Sequence, residues 1–197
     1  MPAISIKSSP FYSNLLNSNL NGLPDLSQSQ LLDLTIDVIR NWDNGKSLSA
    51  AEFIATLNYI KVKCSRLTLD YKYAKKIPVV YFSNIIPTAI ITLEILLALS
   101  GIRTQRFMFP NHELPPNLVS ESLLPIMVVT VNQYHQLPVL NVLRNNPTNK
   151  YTMLIGGNVF NLIPELKTPF KQCLYPKHIL DIPNAINDLV LNLSEGE

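Results

Sequence analysis

The spacing of apolar residues changes along the chain and divides it after residue 74. Residues 27–42 and 49–73 carry apolar side chains at helical spacing, and the polar stretch 43–46 separates them. A shorter helix is predicted over residues 11–20, before a glycine and a proline that would end it. The pattern therefore predicts a bundle of three or four helices, which makes residues 1–74 a helical bundle domain.

The remaining residues, 75–197, alternate short apolar runs with helical segments. Several runs are apolar on all sides, as expected of strands in a parallel sheet that helices cover on both faces. This alternation predicts the α/β fold class, with a doubly wound, flavodoxin-like sheet of five parallel strands. The predicted strands span residues 79–82, 104–109, 126–131, 151–155 and 172–175. The predicted helices span residues 88–100, 116–124, 135–145 and 182–193.

The loops that follow the predicted strands are the expected functional surface of this domain. In doubly wound folds, ligands bind at the carboxyl ends of the strands, near the switch in strand order. The loops in question span residues 83–88, 130–133 and 156–158. We therefore expect any binding site to involve these three segments.

One long apolar stretch, residues 77–102, raises the alternative of a membrane span, because Glu94 is its only charged residue. Pro78 and Pro87 would interrupt a continuous helix, and placing the carboxylate of Glu94 in lipid would be energetically costly. A strand, a turn and a helix stopped by Gly101 explain the same residues better. We therefore expect no membrane association.

The charge balance, with 16 basic against 14 acidic residues and a net charge of +2, leaves no electrostatic footprint for nucleic acid. We therefore expect no direct contact with DNA or RNA. The two cysteines, Cys64 and Cys173, lie too far apart for a zinc site and are too few for a disulfide scaffold. The first ten residues lack the apolar core of a secretory signal, so a cytoplasmic protein is expected.

No residue pattern points to catalysis. The histidines, His112, His135 and His178, are not spaced with a nucleophile or carboxylate in any recognised arrangement. Phosphate-binding, dinucleotide-binding and nucleophile-elbow motifs are absent from the sequence. We therefore predict no catalytic residues, no metal site and a protein that is not an enzyme.

One spacing resembles a known signature. Trp42 is followed by nine residues and then by Glu52 and Phe53, which resembles the W-x9-E-H signature of the helical cap in cobalamin-binding domains. The pair Gly156 and Gly157 resembles the Gly-Gly turn after a strand in the Rossmann-like part of that family. Its members include MerR-type cobalamin photoreceptors, corrinoid methyltransferase carriers and tetrapyrrole-binding antirepressors. The resemblance implies a tetrapyrrole held between cap and sheet.

The positions that match the cobalt-binding loop of the family carry other residues. The D-x-H-x-x-G pattern after the first strand falls on Asn84, Ile86 and Ala89, and a family serine after the third strand falls on Thr130. Isoleucine has no lone pair and cannot ligate cobalt. The cofactor-binding residues that the resemblance implies are Trp42, Glu52, Phe53, Asn84, Thr130, Gly156 and Gly157.

Each of these residues also has a purely structural interpretation. Glu52 stands three residues after Ser49, so the two form a possible capping box. Trp42 could anchor the helices to the rest of the protein through its large apolar area. Asn84 could shape only the turn before Pro87, and the two glycines only a turn that needs positive φ.

The resemblance with altered metal-binding positions favours a non-enzymatic sensory or regulatory protein. It would act on a protein partner, in transcriptional regulation, and self-association is a further expectation. The alternative is a genuine tetrapyrrole binder that holds base-on cobalamin, haem or a bilin by shape. A corrinoid carrier for methyl transfer is the third hypothesis, and Ile86 argues against it.

Overall fold

A computed structural model of the chain describes residues 25–45, 48–109, 122–145 and 151–194. The helix predicted over residues 11–20 lies outside these ranges. The chain divides into two compact units. The first runs to Asp70 and includes Glu94–Gly101, and the second comprises Tyr71–Leu93 and Ile102–Glu197. The predicted boundary after residue 74 stays a prediction.

The first unit contains two helices, α1 (Gln28–Asp43) and α2 (Ala50–Cys64), which pack against each other. Both begin at a capping box in which a serine hydroxyl accepts the N–H of the residue three positions later. Their buried residues recur at helical spacing, with Leu31 and Ile60 fully enclosed. The larger predicted bundle of three or four helices remains a prediction.

The second helix is shorter than predicted, because it ends at Cys64 and not at residue 73. Beyond the helix the backbone N–H of Asp70 donates to the side-chain oxygen of Gln28 at 3.0 Å. The same Gln28 side chain donates to the carbonyl of Leu99 at 3.0 Å. These side-chain bonds hold the residues after Cys64 in a non-helical path that local periodicity does not reveal.

The second unit is built on a parallel sheet of four strands in the order β2-β1-β3-β4. The strands are β1 (Ile77–Tyr81), β2 (Thr104–Met108), β3 (Ile126–Thr130) and β4 (Thr152–Gly156). Every residue of β1 is buried, and so are the first four of β3. Central strands covered on both faces explain the continuous apolar runs, and the α/β class with a parallel sheet is confirmed.

The sheet has four strands among the described residues where five were predicted. The segment 172–175 reduces to one parallel bridge between Leu174 and Leu154. Leu174 donates to the carbonyl of Met153 at 2.9 Å and accepts from the N–H of Ile155 at 2.8 Å. The ladder cannot continue because Pro176, the next residue that would face β4, has no N–H to donate.

Helices alternate with these strands along the chain. They are α3 (Thr88–Leu99), α4 (Leu137–Asn145), α5 (Asn158–Leu162) and α6 (Ile182–Ser194), with 3₁₀ turns at Tyr134–Gln136, Pro164–Phe170 and Ile179–Asp181. The buried core of this unit contains residues from the strands and from α4 and α5. Among the described residues, no helix combines the length and apolar character that a bilayer crossing needs.

Most of the helix predicted over residues 116–124 lies outside the described ranges, but its end is extended. Leu123 forms a parallel bridge with Lys76, just before β1 begins. Lys76 donates to the carbonyl of Ser122 at 3.1 Å and accepts from the N–H of Leu124 at 2.8 Å. The helical prediction is therefore wrong for residues 122–124. Tertiary pairing with the segment before β1 overrides the local pattern there.

Candidate functional site

A cavity of about 480 Å³ lies in the second unit, at the carboxyl ends of strands β3 and β4. This volume falls within the usual range for small-molecule sites. Apolar side chains form part of the lining, including those of Leu93, Val128, Ile155 and Phe160. The cavity therefore lies where the predicted loops 130–133 and 156–158 were expected to meet.

The sheet register brings three of the predicted site residues together. Thr130, the last residue of β3, is paired with Gly156, the last residue of β4. Both line the cavity, and so does Gly157. Parallel strands end at one edge of a sheet, so residues 26 positions apart in sequence become neighbours there.

The two glycines of the turn have different structural roles. Gly157 has φ +125°, and a Cβ built on it would lie 1.8 Å from the carbonyl oxygen of Val131. A side chain at position 157 is therefore excluded by both backbone conformation and space. Gly156 has an ordinary φ, and a Cβ built on it would meet nothing within 4 Å. The fold requires Gly157, whereas Gly156 leaves free space beside the cavity.

A buried glutamine, which the sequence analysis missed, joins the loops after β1 and β3. The side-chain oxygen of Gln136 accepts the N–H groups of Asn132 at 2.8 Å and Gln133 at 3.1 Å. Its side-chain nitrogen donates to the carbonyl of Phe82 at 2.7 Å, and Gln136 is only 6% exposed. Gln136 thus positions Asn132, a residue of the cavity wall. No local pattern marks a glutamine that will be buried.

The cavity wall also carries polar groups that sequence reasoning did not bring together. Tyr175 lines the cavity, and its hydroxyl donates to the carbonyl of Phe170 at 3.2 Å. Burial, with a smaller contribution from Cys173, raises the pKa of Tyr175 to about 12. Tyr175 is therefore a neutral phenol at physiological pH.

His178 also lines the cavity, and it begins the 3₁₀ turn Ile179–Asp181. Its Nδ1 accepts the N–H of Leu180 at 3.2 Å, and its own N–H donates to Asp181 at 3.0 Å. The sequence analysis named His178 without placing it in a site.

The loop after β1 offers no ligand for cobalt at the position where the family signature has histidine. Ile86 occupies that position and is 39% exposed. The Ser83 hydroxyl accepts the N–H of Ile85 at 3.1 Å, which shapes the turn. Asn84 is exposed and is not part of the cavity lining. Among the described residues, no group of three potential ligands could hold a metal ion.

The remaining predicted residues, Trp42, Glu52 and Phe53, lie together in the first unit. The rings of Trp42 and Phe53 are stacked, with centroids 4.6 Å apart. Glu52 accepts the N–H of Ser49 at 2.8 Å and its hydroxyl at 2.7 Å. These bonds lower the pKa of Glu52. The capping box therefore gives Glu52 a structural role, and stacking on Phe53 gives Trp42 one.

Comparison with solved structures identifies the fold. The chain matches a chain of the methanol:cobalamin methyltransferase complex MtaBC from Methanosarcina barkeri, with a TM-score of 0.52 and 14% sequence identity. The match covers 95% of this chain and 70% of that one. The protein therefore shares its fold with a chain of that complex. No protein-family model matches the sequence, and no curated protein matches it.

Proposed function

We propose that the protein is a non-enzymatic regulatory protein that binds a tetrapyrrole at the cavity beside Gly156. The observation that carries this proposal is the cavity of about 480 Å³, which opens where a glycine ends β4. A match in fold to a chain of a cobalamin methyltransferase complex supports the ligand class. A bound tetrapyrrole would supply absorption of visible light and, where it carries a metal, redox chemistry.

The residues present fit a corrinoid held by shape and not one held by a protein ligand to cobalt. Gly156 leaves space at the end of β4, and Thr130 supplies a hydroxyl opposite it in the sheet register. Ile86 supplies only an apolar surface. The base-on form of cobalamin, in which the cofactor provides its own lower ligand, is therefore the form that we expect.

A regulatory role is the simplest use of such a site. The cavity wall presents apolar, amide, hydroxyl, imidazole and ammonium groups, which can bind and orient a ligand. Output would pass through a protein partner or a second copy of the chain. Exposed apolar side chains on α2, at Ile54 and Val62, are available for such a contact.

Absorption titrations test the binding proposal. The purified protein is mixed with hydroxocobalamin, haemin or biliverdin, and the shift of the visible bands is followed. We expect saturable binding of at least one ligand, weakened roughly tenfold or more in Gly156→Leu, because the leucine side chain would occupy ligand space. Gly156→Ala is the matched control, since its single methyl group meets open space. Failure of the native protein to bind any of the three ligands would contradict the proposal.

A corrinoid carrier for methyl transfer is the second candidate, because the matched solved complex is described as a methanol:cobalamin methyltransferase. The isoleucine at position 86 argues against it. Incubation of the cobalamin-loaded protein with a methyl donor and a thiol acceptor separates the two. Turnover that depends on the protein would favour the carrier over the regulator.

A further inference from the structure

The charged side chains in the cavity wall are lysines. Two lysines, Lys167 and Lys177, line the cavity, and no carboxylate does so among the described residues. Within those residues, no carboxylate forms an ion pair with either lysine. Asp181 does not line the cavity, and its carboxylate accepts the backbone N–H of His178 at 3.0 Å. Among the described residues, the wall therefore carries two ammonium groups without an ion-pair partner.

Lys167 is fixed beside the cavity by an aromatic ring. Its ammonium nitrogen lies 5.2 Å from the ring centroid of Tyr175, which also lines the cavity. A cation–π contact orients an ammonium group without cancelling its charge. Tyr175 cannot act as a counter-charge, because burial raises its pKa to about 12 and keeps it neutral.

The rest of the wall requires that the ligand be largely apolar. Val128, Ile155 and Phe160 are buried residues of this unit and contribute to the lining. Asn132, Asn158 and Asn161 add neutral amides. A small inorganic anion would leave the apolar part of such a cavity without contacts, whereas a larger ligand with an acidic group would satisfy both parts.

We propose that the cavity selects ligands that carry a carboxylate or phosphate group, which pairs with Lys167 and Lys177. This inference rests on the proposed function and narrows its ligand class to acidic tetrapyrroles. The acid has two possible sources. Haem and bilins carry propionates, whereas cobalamin carries neutral amides on its ring and a single phosphate in its nucleotide tail.

Matched pairs of ligands test the charge requirement and identify the source of the acid. Biliverdin is compared with its dimethyl ester, which has the same chromophore without the carboxylates. Hydroxocobalamin is compared with dicyanocobinamide, which lacks the nucleotide tail and its phosphate. We expect the acidic member of one pair to bind at least tenfold more tightly than its neutral partner, as charge-assisted hydrogen bonds require. The pair whose members differ in affinity identifies the source of the acidic group.

Substitutions test the two lysines. Lys167→Met and Lys177→Met should each weaken binding of the preferred acidic ligand roughly tenfold and reduce its dependence on salt. Lys177→Arg should retain affinity. Lys171→Met is the matched control, because Lys171 is exposed and does not line the cavity. Circular dichroism and thermal unfolding establish that each variant is folded.

The outcomes separate this inference from the function on which it rests. Equal affinity for the acidic and neutral members of both pairs would overturn the charge requirement and leave the tetrapyrrole site intact. Unchanged binding in the Lys167→Met, Lys177→Met double variant would do the same. Absence of binding by every ligand would overturn both proposals. A difference in affinity between the acidic and neutral members of a pair that disappears in the double variant would support pairing of the acid with the two lysines.

Discussion

At the scale of single residues, the two adjacent glycines after β4 give opposite expectations. Gly157→Ala should destabilise the protein by several kcal/mol, because a Cβ would lie 1.8 Å from a backbone oxygen at φ +125°. Gly156→Ala should leave stability unchanged or raise it by ~0.5 kcal/mol, through the lower entropy of the unfolded chain. Urea unfolding of the two variants measures both effects. Equal destabilisation would contradict the close contact with Val131.

The isoleucine at position 86 gives a second prediction at this scale. Cob(II)alamin bound to ¹⁵N-labelled native protein should show the three-line electron paramagnetic resonance splitting of a ¹⁴N ligand from the cofactor. Ile86→His should convert part of the signal to a two-line ¹⁵N splitting, because imidazole can ligate cobalt and isoleucine cannot.

Ile85→His serves as the control for this experiment, since Ile85 is 78% exposed and lies at the adjacent position. It should keep the three-line spectrum of the native protein. A two-line spectrum from the native protein would mean that one of its own nitrogen atoms ligates the metal. The base-on form of the proposal would then be wrong.

At the scale of elements, the capping boxes of α1 and α2 differ in one chemical respect. The box of α2 uses Glu52, whose pKa is lowered by hydrogen bonds from Ser49. The box of α1 uses Gln30, which does not titrate. A carboxylate with a lowered pKa stabilises the folded state above its unfolded pKa of about 4.3, and this contribution is lost as the pH falls through the folded value.

We therefore expect Glu52→Gln to be less stable than the native protein at pH 7, with the difference shrinking below about pH 4.3. Ser27→Ala, in the uncharged box, should cost about 1 kcal/mol with little dependence on pH in the same range. Helix melting followed by circular dichroism at several pH values compares them. A difference for Glu52→Gln that stays constant with pH would contradict the role of the carboxylate.

Some of the strands could be predicted from the sequence pattern alone, and others could not. Strands β1 and β3 were predicted from continuous apolar runs, because burial on both faces leaves no polar position in them. The run at 172–175 was also predicted as a strand, but its extent depends on Pro176, whose missing N–H ends the ladder after one bridge. Leu123 pairs with Lys76 through backbone hydrogen bonds that the local spacing of apolar residues does not predict.

At the scale of the whole molecule, each unit carries one cysteine, which allows each to be followed separately. Burial raises the pKa of Cys64 to about 11 and also raises the pKa of Cys173. At pH 8, the native Cys64 thiol should react with iodoacetamide roughly 100-fold more slowly than an unfolded cysteine, since the thiolate is the nucleophile.

The variants Cys64→Ala and Cys173→Ala isolate the two thiols. Reaction rates across a urea series should rise with the unfolding of the unit that contains the remaining cysteine. Comparison of the two midpoints then tells whether the units unfold together. Native rates equal to that of a short cysteine peptide would contradict the burial of these thiols.

The candidate site was only partly accessible to sequence reasoning. Thr130 and the two glycines were predicted from strand ends and a resemblance, and they line one cavity. Asn84 was grouped with them but lies outside the lining. Lys167 and Lys177 went unnoticed, because surface lysines carry no pattern until a fold places them around a cavity.

The sequence alone determined the alternation of buried strands and helices, the capping box at the start of α2 and the absence of a histidine at position 86. These features depend on neighbours within a few residues, so local order is enough to specify them. Tertiary structure alone decided that Gln136 joins two loops and that Gly157 must lack a side chain. It also decided that lysines share a cavity with Gly156, because such contacts join residues that are distant in sequence.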